Sequence, residues 1–257
     1  QYETNLDHLL KVGIKNHNDG SLNPKAQFNV TIRQMMERRQ ARAEQRGETV
    51  PDWKDELDFL NDPASNPWIA WPLRLYDCAP ITDGASCLLL VSADIARNFT
   101  EKPVQIAGMG QASGRPLHDA EELTSLSAAK YAAAQAYQMA GITPQDVQVA
   151  EVHDCFTIAE IIATEDLGFF EPGEGPRAVD EGRTALAGDR PINTSGGLKS
   201  KGHPVGASGV AQVIAVFHQL RGEAGLRQLA DPNLEVGLTH NVGGTGGTCV
   251  VNILRRG

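Results

Sequence analysis

Two apolar runs close this sequence, LEVGLTHNV at 234–242 and TCVVNIL at 248–254, and only Gly243-Gly244-Thr245-Gly246-Gly247 joins them. A parallel crossover needs about a dozen residues or more, so these runs must pair as an antiparallel hairpin. Upstream, strand and helix patterns alternate. CAPITDGASCLLLVSADIAR (78–97) reads as a turn, a strand and a helix start. Its core, CLLLV at 87–91, shows no alternation and predicts a strand covered on both faces. Residues 103–112 form a second strand that ends in glycines. An Ala-rich helix follows over 122–140, stopped by Gly141 with Pro144 beyond it. A strand at 146–153, a helix at 155–167, a Gly/Pro/Asp-rich loop at 171–192 and a helix at 207–221 lead into the hairpin. This order predicts an α/β layered sandwich, a mixed sheet with helices on both faces.

The N-terminal part reads differently. A short helix over Leu6 to Lys15 precedes a polar loop. Residues 30–48 predict a helix in which Arg33, Arg38, Arg39, Arg42 and Arg46 sit among Glu37, Glu44 and Glu48. That pattern fits a solvated face with i,i+4 ion pairs, or else a basic rim facing phosphate groups. Pro51, Pro63, Pro67 and Pro72, interleaved with Trp53, Trp68 and Trp71, forbid long helices over 49–72.

Across 257 residues the net charge is −9, which argues against nucleic acid as a partner but leaves room for an anionic small ligand. No apolar run approaches the roughly 18–20 residues of a membrane span. Cys78, Cys87, Cys155 and Cys249 lie far apart with no CxxC, and no secretory or transit-like leader is visible. The expectation is a reducing compartment, the cytoplasm, with the peroxisome as the alternative. No dense metal spacing occurs, so no metal is expected. Gly108, Gly110 and Gly114 depart by one residue from a dinucleotide fingerprint.

Three segments concentrate unusual residues where a strand hands over to a helix or turn, the place where open α/β sheets bind ligands. In His153-Asp154-Cys155-Phe156, a Cys in the first turn of a helix would gain thiolate stability from the dipole. The same segment also fits an N-cap Asp154 with a buried Cys behind it. In Gly196–Gly209 the spacing is wrong for a P-loop. There His203, wedged between Gly202 and Pro204, suits a general base or an oxyanion donor. Asn241–Thr248 is either a plain glycine-rich hairpin or a set of backbone N–H groups for an oxyanion.

Together these segments resemble the thiolase superfamily, closest to its sterol-carrier-protein-2-type and archaeal-type members. HDCF (153–156) matches that subgroup's form of a motif written Asn-Glu-Ala-Phe in other thiolases. GHP (202–204) matches the family's His motif, and NVGG (241–244) stands where most thiolases have Cys-x-Gly. KNHNDGSLNPKA (15–26), DCAPITDGAS (77–86) and NTSGG (193–197) extend the match along nearly the whole chain.

The resemblance implies acyl transfer between a cysteine thioester and coenzyme A, making or cleaving a 3-ketoacyl-CoA. Coenzyme A is then substrate, and no cofactor is held. His203 would activate the nucleophile, and Cys155 would be the acid/base. His153 would bind a water or the thioester oxygen, and the Gly243 N–H would join an oxyanion hole. Phe156, Ala79 and Pro80 would flank the pantetheine. The family's nucleophilic Cys, at the start of a buried helix in the N-terminal half, has no counterpart; Cys78, Cys87 and Cys249 read as structural. The implied layout is a loop domain over 1–76, the last strand and helix of the N-terminal core over 77–99, and a complete C-terminal domain over 100–257. By this reading the chain alone is catalytically incomplete. A dimer or tetramer is expected, with the missing half supplied by a longer chain or a partner. The alternatives are a retro-aldolase on a β-hydroxyacyl-CoA and a non-catalytic acyl-CoA-binding or scaffold subunit.

Overall fold

The structure is a computed structural model that describes residues 4–115 and 122–257. Helix α1, Leu6–Ser21, starts at Asn5, whose side chain accepts the His8 N–H while His8 Nδ1 accepts the Asn5 N–H. It runs six residues past the expected end at Lys15 because its polar residues find buried partners. The Asn16 amide, for example, donates to both Asp154 and Glu160 at 2.8 Å. Helix α2, Ile32–Arg46, is capped by Thr31 and ended by Gly47 at φ 65°. Its Arg33 and Arg46 pair with Glu56 and Glu48, both outside the helix, rather than with i+4 neighbours. A short helix α3, Glu56–Asn61, completes a small core of Leu10, Ile32, Met36, Phe59 and Leu60. Strands β1, Trp68–Ala70, and β2, Leu73–Arg74, make a two-stranded antiparallel turn.

Residues 87–91 correct the sequence reading. They form no strand, and Leu89 and Leu90 are 77% and 70% exposed. The following Ala93–Asn98 is a surface 3₁₀ turn. The run has strand composition, but among the described residues no strand pairs with it and no layer covers it. β-propensity is mostly the energy of those missing contacts.

The remainder builds the layered sheet. Strand β3, Val104–Ser113, precedes helix α4, Ser127–Ala140, and strand β4, Val149–Glu151. Helices α5, Thr157–Asp166, and α6, Gly175–Asp180, follow; α6 lies inside the expected loop. Helix α7, Val205–Arg221, leads to β5, Val236–Gly243, and β6, Thr248–Arg256. The strand order is β3-β6-β5-β4, with β5 antiparallel to β6 as the short link requires and parallel to β4.

Alternation along the strands divides the core in two. Ala150, Leu238 and Ile253 pack with Ala128, Ala132 and Ala136 of α4. Val149 and Leu254 pack with Val216 and Leu220 of α7 on the other face. Gly108 and Gly110 are packing residues. A Cβ on Gly110 would sit 1.9 Å from the Ala132 carbonyl oxygen, so these glycines let α4 lie directly on β3.

Candidate functional site

Strand β4 ends at Glu151, and the chain crosses the sheet end as Val152-His153-Asp154-Cys155-Phe156 before α5 begins. Asp154 is fully buried and does not cap α5; the N-cap of that helix is Phe156. Instead Asp154 Oδ1 accepts the Leu198 N–H at 2.7 Å, and Oδ2 accepts from the Asn16 amide at 2.8 Å and the Lys199 N–H at 3.4 Å. It therefore caps the wide turn Gly197–Lys201 from 44 residues away. Gly197 takes φ 56°, and a Cβ there would lie 2.3 Å from Asp154 Oδ2. The glycines of this segment let the turn close over the carboxylate.

That turn delivers His203. Its N–H donates to Thr82 Oγ1 at 2.9 Å, and its ring stands edge-on to the His153 ring with centroids 5.1 Å apart. His203 Nδ1 lies 2.7 Å from Ser208 Oγ, and that hydroxyl donates to the Pro204 carbonyl at 3.1 Å. A hydroxyl has one hydrogen; with it on the Pro204 carbonyl, Ser208 accepts from Nδ1, which then carries the proton. Nε2 of His203 is left as a free base. Burial, then Lys201 and Lys199, lowers the His203 pKa and keeps the ring neutral. Burial and the neighbouring His203 lower His153 to about 4.

The segment 78–82 covers the motif. The Ala79 N–H donates to the Cys155 carbonyl at 2.9 Å, Cys78 bridges Phe156, and Ile81 bridges His203. Ala79 thus lies against the HDCF segment, and Pro80 links it to Ile81 beside His203. Beneath them Lys199 Nζ donates to the Asp77 carbonyl, and Thr157 Oγ1 donates to Asp77 Oδ1 at 2.7 Å. Burial lowers Lys199 to about 8.

Cys155 departs from one expectation. It sits two residues ahead of α5, outside the first turn, so the helix dipole does not favour its thiolate. Burial, then the Asp154 carboxylate, raises its pKa. Its chemistry is that of a protonated thiol. Gly243 is the last residue of β5, exposed, and faces Thr248 across the hairpin. It lies three residues beyond His240, which accepts the His153 N–H on its Nδ1 at 3.4 Å.

The structure thus brings together His153, Cys155, Phe156, His203, Ala79 and Pro80, with Gly243 farther along the strand. Sequence reasoning missed Ser208, Lys199, Asn16 and His240. Ser208 lies five residues after His203, in the first turn of α7. Among the described residues no group of three His, Cys, Asp or Glu side chains could hold a metal ion.

Residues 110–256 match the Thiolase C-terminal domain-like family. The chain belongs to the thiolase family. It is 45% identical to the acetyl-CoA acetyltransferase of Methanothermobacter thermautotrophicus over all of this chain and 60% of that protein. It is 34% identical to human sterol carrier protein 2 over all of this chain and 43% of that one. The chain therefore spans less than two thirds of either relative. Among solved structures, the Ltp2-ChsH2(DUF35) aldolase superposes with a TM-score of 0.77 at 23% identity, over 99% of this chain and 59% of that one. The SCP2-thiolase-like protein type 1 of Mycobacterium smegmatis gives 0.64 at 18%, over 96% and 46%. At those identities the likeness concerns the thiolase fold alone.

Proposed function

We propose that this chain carries the acid/base and oxyanion side of a thiolase active site acting on acyl-coenzyme A thioesters. The observation that carries the reading is the His153–His203 ring contact, held under the 78–82 segment with Cys155 beside it. His203 Nε2, unprotonated, takes the proton of an attacking thiol. Cys155, kept as a thiol by burial, gives a proton to the carbon α to the thioester and takes it back. His153 and the Gly243 N–H donate to the oxygens that develop negative charge. Phe156, Ala79 and Pro80 flank the pantetheine arm.

The nucleophilic cysteine and the rest of the core come from polypeptide beyond these residues, in the same or a partner chain. The exposed run 87–91 supports this, since an unpaired apolar segment is a ready strand edge. The name of the 45% identical relative fits acyl transfer.

The test is coenzyme-A-dependent cleavage of acetoacetyl-CoA by the full-length protein. Cys155→Ala should lower kcat by about 100-fold or more. An unchanged rate overturns the reading in favour of a scaffold. Cleavage of a β-hydroxyacyl-CoA without added coenzyme A would overturn it in favour of an aldolase.

A further inference from the structure

His240 is 1% exposed, and Gln212 of α7 holds its strand by donating to the His240 carbonyl at 3.1 Å. Its Nδ1 accepts the His153 N–H, so Nδ1 has no proton and the neutral ring carries it on Nε2. That Nε2–H is buried without a protein acceptor. His153 Nδ1 is likewise buried without a partner. Buried polar atoms are almost always satisfied, by protein or by an ordered water. One of these two orphans is a donor, and the two rings belong to residues already joined by a hydrogen bond.

We propose that His240 is a positioning residue that fixes the tautomer of His153, its Nε2–H joined to His153 Nδ1 through one buried water. His153 Nδ1 then accepts, and the His153 proton sits on Nε2, where it is a donor towards the substrate. Ser208 imposes the opposite tautomer on His203, whose Nε2 is the acceptor. The two imidazoles are set as one donor and one base by two different supporting residues. The assignment deepens the acyl-transfer reading and rests on it for its catalytic meaning.

The tautomer is measured without turnover, by two-bond proton–nitrogen correlation spectra of the histidine rings in the full-length protein. The expected spectrum has an unprotonated His153 Nδ1 and a protonated Nε2; the reverse pattern overturns the assignment. His240→Leu should give a mixture of His153 tautomers and about a tenfold loss in kcat at unchanged KM. His240→Gln keeps an acceptor and a donor, and should restore the wild-type pattern and most of kcat. A His240→Leu protein with the wild-type His153 tautomer overturns the assignment, as does a folded His240→Gln protein that loses it. If the leucine variant does not fold, the wild-type spectrum decides. The expected tautomer in a protein without acyl-CoA turnover would sink the functional reading and leave this assignment standing.

Discussion

The Leu198 N–H donates to Asp154 Oδ1 over 2.7 Å, tying the HDCF motif to the glycine-rich turn that carries His203. The same carboxylate accepts from Asn16 and lies near Lys199, so it joins α1, the turn and the motif. Asp154→Asn keeps one acceptor and turns an amide N–H2 towards a donor already in place. The buried Lys199 also loses a nearby anion. The expected cost is about 2–4 kcal/mol, read by urea unfolding of the full-length protein. A loss under about 0.5 kcal/mol would show that the turn holds itself.

Gly110→Ala should destabilise through steric contact alone. Its Cβ would meet the Ala132 carbonyl at 1.9 Å and the Ala132 carbonyl carbon at 2.8 Å, both helix backbone that cannot swing away. Overpacking of this kind costs about 1–3 kcal/mol. Gly206→Ala, with open space around the new Cβ, serves as the control and should change thermal stability little.

Much of this architecture was legible in the sequence, for identifiable reasons. The five-residue glycine link admits one topology, and Gly141 at φ 66° ends α4 where the Ala-rich pattern stops. His153, Cys155 and His203 stood out because their motifs interrupt apolar elements with residues costly to bury. Two kinds of feature were hidden. The polar second half of α1 looked like a loop because Asn16 and Gly20 find their partners only in Asp154 and Glu160 and in Gly196 and Ser200, over a hundred positions away in sequence. His240 reads as one residue of a strand, and its link to His153 depends on where β4 ends beside β5. The run at 87–91 erred the other way: local pattern predicts a strand, and pairing decides whether one exists.

Asp19 makes folding stability depend on pH in an unusual direction. Burial, partly offset by Lys15, raises its carboxyl to about 7, and its Oδ2 is buried without a partner. From about pH 4 to 7 the folded chain holds the Asp19 proton more often than the unfolded chain does. This contribution is therefore full at low pH and lost as pH rises through about 7. His17 and His153, both lowered to about 4, act oppositely: their contribution is present above about pH 6.5 and lost on acidification. Asp19→Asn should therefore gain about 2 kcal/mol on wild type between pH 5 and pH 8, whatever the histidines do in both proteins. Denaturant midpoints at the two pH values check it, and a constant difference would refute it.

Alkylation should order the cysteines by environment. Cys87 is exposed, whereas burial raises the Cys155 and Cys78 thiols and pushes Cys249 up to about 12. Iodoacetamide attacks the thiolate, so at pH 7.5 the full-length protein should label Cys155 slowly and Cys249 last. Mass spectrometry of timed digests reads the order. Rapid labelling of Cys155 at neutral pH would mean that its thiol is activated, and the acid role proposed for it would fail.

Ser208 should matter through the ring it orients rather than through stability. Its hydroxyl accepts from His203 Nδ1 at 2.7 Å and donates to Pro204 one turn back, so it leaves His203 Nε2 as the base. Ser208→Ala removes the acceptor in the first turns of α7, where alanine favours the helix, so folding should survive. The ring is then free to take the other tautomer, with its proton on Nε2, where it cannot serve as the base proposed for it. The expected result in the full-length protein, on the acyl-transfer reading, is a fall in kcat of about tenfold at unchanged KM. Ser208→Thr, which keeps the hydroxyl, should recover most of it. Equal losses in the alanine and threonine variants, or none in either, would show that Ser208 does not set the tautomer of His203.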